Sequence, residues 1–376
     1  MNNFNKVIRP GQTIGIIGGG QLGRMMALAA KASGFQIAVL DPTPNCPCGQ
    51  VADVEITAQY NDLEALKQLA DVSDVITFEF ENINGEALEW LQQHAYIPQG
   101  AEILKVSQNR IIEKQTITQA GVEIAPYVVI QEMEDLYEQI DEIGFPCVLK
   151  TATGGYDGKG QLVLKSKQDI VRAQHLIEQC VCVLEAWVPF DKEVSVIVSR
   201  NSFGDTEVFP VAENIHVENI LHQSIVPARI SEEVAQKARE KAMLIADSMQ
   251  LVGTLAVEMF VTSDGEIYIN ELAPRPHNSG HYTMEACETS QFEQHIRAVC
   301  NWQLADTTLL KPVVMVNVLG EHMKPLLEKI PTLSNWKIHL YGKEEAKVKR
   351  KMGHVNILRD DVEEALIEAA KSQIWT

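Results

Sequence analysis

Apolar and polar positions along the first hundred residues alternate between compact runs and amphipathic stretches. Thr13–Ile17, 36–40 and 75–80 are short runs rich in Ile and Val, the pattern of strands buried on both faces. Between them, 21–33 and 63–69 carry helical spacing. Strand alternating with helix predicts a parallel sheet with helices on its faces, an α/β domain. The stretch 108–120 predicts a helix stopped by Gly121, with extended chain again from Pro126, and a domain boundary falls just before it.

From Tyr127 the pattern is less regular and predicts an α+β domain. Segments 145–150 and Gln161–Leu164 flank a glycine-rich loop, and 181–187 and 194–199 are apolar strand segments. A long amphipathic helix is expected over 231–250, then a hairpin of 254–262 and 266–270 around Ser263-Asp264-Gly265. After Cys300 come short strands at 312–319 and 337–340 and a final helix over 362–372. No internal repeat or low-complexity linker interrupts this order. A chain of 376 residues exceeds one hydrophobic core and its length suggests about two or three domains; the order of elements divides it at 1–107, 108–300 and 301–376.

Charge narrows the function. Fifty-one acidic against 32 basic side chains leave a net charge near −19, which argues against a broad phosphate-gripping surface and hence against nucleic acid as a partner. No apolar run approaches the roughly 20 residues that span a bilayer, and Met1–Pro10 has no apolar stretch before a cleavage site, so no membrane partner and a cytoplasmic address are expected. Seven cysteines, paired closely only as Cys46/Cys48 and Cys180/Cys182, read as buried thiols, because no further ligands at zinc spacing accompany them.

Candidate chemistry sits in five places. Gly18-Gly19-Gly20-Gln21-Leu22-Gly23 is a G-x-G-x-x-G match after a strand, with Asp41 ending the second strand where a ribose would be held. A dinucleotide site, another phosphate site and a tight ligand-free turn all remain open on that motif. Gly154–Gly160, just after Lys150, lacks the Walker A spacing, yet its four glycines and Lys159 make a flap able to lay N–H donors over a polyphosphate. In the hairpin, pairing Thr262 with Glu266 sets Glu258 opposite Asn270; with Glu271 these form an oxygen cradle for magnesium. Simple alternation turns Glu271 to the other face, so the strand must end or bulge there. Next, two prolines stiffen a loop presenting Arg275, His277 and Asn278, donors suited to a small oxyanion. Finally, residues 341–354 hold five basic against two acidic side chains, a candidate site for a phosphate monoester.

Taken together, GGGQLGRM (18–25), TFEFENI (77–83), the helix of Arg110, KTATGGYDGKGQ (150–161), EAWVPFDKEVS (185–195), NIHVENIL (214–221) and NELAPRPHNSGHYT (270–283) resemble the ATP-grasp superfamily. Within it, they are most similar to the 5-(carboxyamino)imidazole ribonucleotide synthase family. The resemblance spans nearly the whole chain, and the pairing of GGYDGKGQ with NELAPRPHNSGH is its most specific part. It implies an ATP-grasp fold with an N-terminal Rossmann-like domain and a small C-terminal domain. The implied activity is ATP-dependent carboxylation of 5-aminoimidazole ribonucleotide with bicarbonate, through carboxyphosphate, in purine biosynthesis.

Carried over by position, the resemblance gives Arg110 and Lys150 to ATP phosphates and Gly155, Tyr156, Asp157, Gly158, Lys159, Gly160 and Gln161 to the phosphate-covering loop. Lys159 stands where relatives often carry arginine. Glu185, Ala186, Trp187 and Val188 match the edge that reads adenine and Glu193 the ribose carboxylate, while His216, Asn270 and Glu271 match further ATP-site positions. Glu258 and Glu271 match the magnesium carboxylates, with manganese an alternative ion. Arg275, His277 and Asn278 match the bicarbonate and carboxyphosphate pocket. Gln21, Leu22, Glu79, Tyr156, Lys343, Arg350 and Lys351 match the ribonucleotide site, with Glu79 preferred to Glu81. A homodimer is the implied assembly. Two rivals remain: a formate-dependent glycinamide ribonucleotide transformylase on the same fold, and an NAD-binding oxidoreductase built on Gly18–Gly23.

Overall fold

A computed structural model describes residues 6–155 and 160–375, which build three sheets. The first is parallel, in the order β3-β2-β1-β4, from β1 (Thr13–Ile17), β2 (Gln36–Asp41), β3 (Val54–Thr57) and β4 (Val75–Phe78). Their apolar side chains are almost wholly buried in β1, β2 and β4, which is why these strands read as continuous apolar runs. Edge strand β3 escapes that reading because its short sequence, VEIT, is mostly exposed.

The second sheet is antiparallel, ordered β5-β8-β6-β7, from β5 (Tyr127–Ile130), β6 (Cys147–Thr151), β7 (Gln161–Leu164) and β8 (Cys182–Ala186). The third has nine strands: β9 (Phe190–Arg200), β10 (Thr206–Val208), β11 (Ala212–Val217), β12 (Ile220–Val226), β13 (Gly253–Thr262), β14 (Ile267–Ala273), β15 (Val313–Leu319), β16 (Trp336–Leu340) and β17 (Lys351–Leu358). Its order is β14-β13-β9-β11-β12-β15-β17-β16, with β10 on β9. The C-terminal strands thus extend the central sheet: β15 pairs antiparallel with β12, Gln223 opposite Val316. An unpaired edge of β12 would expose a row of N–H and C=O groups, and β15 covers it.

The helix expected over 108–120 is the helix Arg110–Gln119, and a further, unexpected helix, Glu102–Gln108, precedes it. Asn109 separates them: its backbone is extended, and its side chain accepts the amide of Ile111 at 2.9 Å, capping the second helix. That cap places Arg110 at the first helical position. The long amphipathic helix runs over Glu232–Ser248, capped by Ser231, and the chain ends in the helix Val362–Lys371. All seven cysteines are free thiols and only Cys180 is not fully buried. Among the described residues no helix is long and apolar enough to cross a membrane.

Candidate active site

A cavity of about 660 Å³ opens between the second and third sheets, and the carboxyl ends of β1 and β4 close one side of it. Gln21, Leu22, Glu79, Arg110, Lys150, Gly155, Gln161, Glu185, Ala186, Trp187, Val188, Glu193, His216, Glu258, Asn270, Glu271, Arg275, His277, Asn278 and Lys351 all line it. Gly160, Lys343 and Arg350 stand outside its wall. Tyr156, Asp157, Gly158 and Lys159 lie outside the described residues.

The glycine-rich turn is filled by the protein's own carboxylates. Asp41 accepts the amide of Gly19 at 2.7 Å, while Glu79 accepts the amide of Gly23 at 2.6 Å and that of Gly20. A Cβ on Gly18 would meet Glu79 Cγ at 2.3 Å, and one on Gly19 would meet Cys46 Sγ at 2.2 Å. These glycines therefore admit side chains rather than a pyrophosphate, and the amides that a dinucleotide would need at the start of the helix Gln21–Ala32 are taken. Burial raises the Glu79 carboxyl and the two amides pull it back. Glu81 has a different task, with Oε1 lying 2.8 Å from Arg275 Nε.

Opposite, β6 and β8 bring charges out of an apolar sheet. Lys150 Nζ donates to Glu185 Oε2 at 3.0 Å and to Asn270 Oδ1 at 3.4 Å, and Lys114 Nζ lies 3.2 Å from the other Glu185 oxygen. Burial opposes the Glu185 charge, yet Lys150 and Lys114 hold its carboxyl below the ordinary range. Burial lowers Lys114 in turn. Arg110 Nη2 lies 3.6 Å from Glu271 Oε2; burial works against its charge, and Glu271, Glu113 and Glu185 outweigh that. His216 Nδ1 is 2.8 Å from Glu193 Oε2, and that carboxylate raises its pKa against the effect of burial.

In the β13–β14 hairpin the register corrects the sequence expectation. Met259 faces Ile269, but Glu258 faces Glu271, because a bulge places Asn270 as the extra residue. The two carboxylates therefore share one stretch of wall. Burial, then Glu271, raises the Glu258 carboxyl to about 7, so a cation is needed if both are to be charged. Among the described residues no cluster of three or more His, Cys, Asp or Glu is arranged for a metal. Two carboxylates facing an open cavity suit magnesium, which commonly takes one or two carboxylates and completes its shell with water and nucleotide phosphates.

Beside Glu258, the proline-stiffened loop presents its donors inward. His277 Nε2 lies 3.3 Å from Glu258 Oε1. Both polar atoms of the Asn278 amide are buried and bond to nothing among the described residues, a cost that a polar ligand would remove. Gln291 holds the loop backbone from both sides, accepting His277 N at 2.9 Å and donating to His277 O at 2.7 Å. Of the basic C-terminal segment, Lys351 reaches the wall, while Lys343 Nζ donates to Lys351 O at 2.8 Å and Arg350 Nη1 to Glu345 O at 3.0 Å. Gln50 of the first domain donates to Gly342 O at 2.9 Å, joining that segment to the glycine-rich side of the cavity.

Sequence reasoning missed Glu113, Lys114 and Gln291. Glu113 is buried, accepts the amide of Leu272 at 2.7 Å just beyond the bulge, and has its carboxyl raised to about 8 by burial and then by Glu271. Arg110, Glu113 and Lys114 fall at i, i+3 and i+4 on one helix, so helical spacing from Arg110 could have found the other two. Gln291 had no such signal.

Residues 11–108 match the ribonucleotide synthetase preATP-grasp domain, 115–292 the ATP-grasp domain and 313–368 the phosphoribosylaminoimidazole carboxylase C-terminal domain. An N5-carboxyaminoimidazole ribonucleotide synthase of Bacillus subtilis is 55% identical over 363 residues, covering 96% of each chain. The crystal structure of an ADP complex of an N5-carboxyaminoimidazole ribonucleotide synthetase is 63% identical, with a TM-score of 0.96 over 99% of this chain and 98% of that one. An Aspergillus clavatus N5-carboxyaminoimidazole synthase in complex with ADP and 5-aminoimidazole ribonucleotide is 30% identical, with a TM-score of 0.90 over 96% of this chain and 97% of that one. The filled glycine turn, the two-sheet cavity and these likenesses agree: the chain belongs to the N5-carboxyaminoimidazole ribonucleotide synthase family, ATP-dependent ligases with the ATP-grasp fold.

Proposed function

We propose that the chain carboxylates 5-aminoimidazole ribonucleotide with bicarbonate, converting ATP to ADP and phosphate, in purine biosynthesis. The observation that carries this reading is one cavity lined together by the Lys150 and Arg110 cations, the Glu258–Glu271 pair, the Arg275, His277 and Asn278 donors, and Glu79 and Lys351. A relative in complex with both ADP and 5-aminoimidazole ribonucleotide supports the same pair of ligands for this chain.

A bicarbonate oxygen attacks the γ-phosphorus, the bond to ADP breaks, and carboxyphosphate forms. The exocyclic amine then attacks the carboxyl carbon, the C–O bond to phosphate breaks, and the amine proton leaves with the phosphate. Lys150 and Arg110 neutralise and position the phosphate oxygens, which is most of what phosphoryl transfer requires. Magnesium held by Glu258 and Glu271, or manganese in its place, would neutralise further charge on the transferring group. Arg275, His277 and Asn278 orient the bicarbonate, and the buried unbonded amide of Asn278 supports that assignment. Glu185–Val188 take the adenine edge, with Glu193 and His216 on the ribose side. Gln21, Leu22, Glu79 and Lys351 receive the ribonucleotide, with Lys343 and Arg350 strengthening its phosphate end. Tyr156, Asp157, Gly158 and Lys159 belong to the proposed covering loop through the resemblance alone.

Under this proposal the chain divides into three functional parts, 1–107, 108–300 and 301–376, a division supported by the three separate family matches at 11–108, 115–292 and 313–368. A homodimer working in the cytoplasm completes the proposal. Its test is ADP release with 5-aminoimidazole ribonucleotide and bicarbonate, against glycinamide ribonucleotide and formate. ADP release that needs formate and ignores bicarbonate favours the transformylase instead; tight NADH binding without ATP binding removes both.

A further inference from the structure

Behind His277 runs a line of buried polar side chains that orienting a bicarbonate does not by itself require. Ser224 Oγ donates to Asn214 Oδ1 at 2.8 Å, Asn214 Nδ2 donates to Ser195 Oγ at 2.9 Å, and Ser195 Oγ donates to Ser279 Oγ at 2.7 Å. Ser279 Oγ is 2.9 Å from His277 Nδ1, and the backbone amide of Ser279 points at that same nitrogen from 3.3 Å. Ser195, Ser224 and Ser279 are at most 1% exposed and Asn214 is 5% exposed, so the line is sealed from water. Polar groups placed in an otherwise apolar sheet cost stability unless each finds a partner.

Direction follows from the one group that has no choice. A backbone amide can only donate, so His277 Nδ1 must accept and carries no proton. The Ser279 hydroxyl, at hydrogen-bond distance from an unprotonated nitrogen, must then donate to it, and its oxygen is free to accept from Ser195. Every link back to Ser224 runs the same way. A neutral imidazole whose Nδ1 is bare holds its proton on Nε2, the atom that lies 3.3 Å from Glu258 Oε1 and faces the cavity.

We propose that Ser279, backed by Ser195 and Asn214, is a positioning residue that fixes His277 as the Nε2–H tautomer, so that His277 serves as a hydrogen-bond donor to the oxyanion in the cavity and not as its base. This rests on the reading of Arg275, His277 and Asn278 as the bicarbonate pocket. Ser195 is the register partner of Glu258 on β9, so one stretch of sheet sets both the carboxylate and the imidazole beside it. Gln291 fixes the loop backbone and Ser279 the ring, which divides the work of placing His277.

Nitrogen NMR of enzyme labelled with ¹⁵N-histidine, the His277 signals identified by their loss in His277→Gln, reads the tautomer directly. An unprotonated Nδ1 with a protonated Nε2 is expected; a protonated Nδ1 overturns the proposal. Ser279→Ala should lower kcat on the order of tenfold to a hundredfold, leave the KM for ATP unchanged, and shift the Nδ1 signal, with Ser279→Thr restoring both. An unaltered kcat and an unaltered Nδ1 signal in Ser279→Ala also overturn it. Should Ser279→Ala fail to fold, the spectrum of the unmodified enzyme decides alone. Full turnover in His277→Gln would remove the pocket assignment itself, whereas an inactive His277→Gln beside an unaltered Ser279→Ala removes only the relay.

Discussion

Glu79 accepts the amide of Gly23 at 2.6 Å across 56 residues of chain, and with its second oxygen takes the amide of Gly20. A side chain from the end of β4 thereby fills the anion-binding start of the first helix. The glycine pattern shared with dinucleotide enzymes here serves to let a carboxylate approach the backbone. Replacing Glu79 with Gln keeps the size but turns an amide NH₂ toward backbone donors. The expected loss is about 1–3 kcal/mol of unfolding free energy, measured by denaturant titration, together with a raised KM for the ribonucleotide. Unchanged values for both would detach Glu79 from turn and site alike.

Glu185 is held between two lysines, with Lys150 at 3.0 Å and Lys114 at 3.2 Å. Lys114→Met removes one partner of a buried carboxylate and should cost about 3 kcal/mol. Because Lys150 then turns more fully to Glu185, the KM for ATP should rise as well. Denaturant titration and initial rates at varied ATP check both, and a Lys114→Met enzyme as stable as the parent would place the Glu185 charge elsewhere.

Lys343 is lowered to about 8 by burial and then by Arg350. Below that value it is charged and able to meet a phosphate; above it the charge is lost. Hence kcat/KM for the ribonucleotide should fall as pH rises through about 8 in the parent enzyme, and Lys343→Ala should be lower throughout and lack that fall. A fall of equal size in both enzymes would assign it to another group.

His295 joins two parts of the fold: its Nε2 lies 2.8 Å from Thr77 Oγ1 on β4, and its Nδ1 accepts the amide of Thr254 on β13 at 3.2 Å. Burial lowers its pKa to about 3 from an ordinary 6.5. Below 6.5 the unfolded chain takes up a proton that the folded chain refuses. Stability present above 6.5 is therefore lost as pH falls, at up to about 1.4 kcal/mol per pH unit for this one group. The advantage of the parent over His295→Gln should shrink between pH 7 and pH 5; a constant difference would mean that His295 is protonated in the fold.

Strands β1, β2 and β4 were legible because burial on both faces writes itself as an unbroken apolar run, and the hairpin register near Thr262 and Glu266 was legible from its turn. What fills the glycine turn was not, since Glu79 comes from a distant strand end. The bulge at Asn270 announced itself only as a conflict, with two candidate metal ligands on opposite faces under simple alternation. The joining of β15 to β12 depends on an unpaired edge, which no local pattern records. Residues that touch the cavity were largely named by their motifs. Those that hold them, such as Lys114, Ser279 and Gln291, were not, because their importance lies in partners far along the chain.

The most direct measurement follows an oxygen. Bicarbonate labelled with ¹⁸O is supplied with ATP and 5-aminoimidazole ribonucleotide, and the released phosphate is analysed by mass. An oxygen that attacks the γ-phosphorus stays on phosphorus when the carboxyl group moves to the amine, so one labelled oxygen per phosphate is expected. Unlabelled phosphate alongside full ADP release would contradict carboxylation through carboxyphosphate.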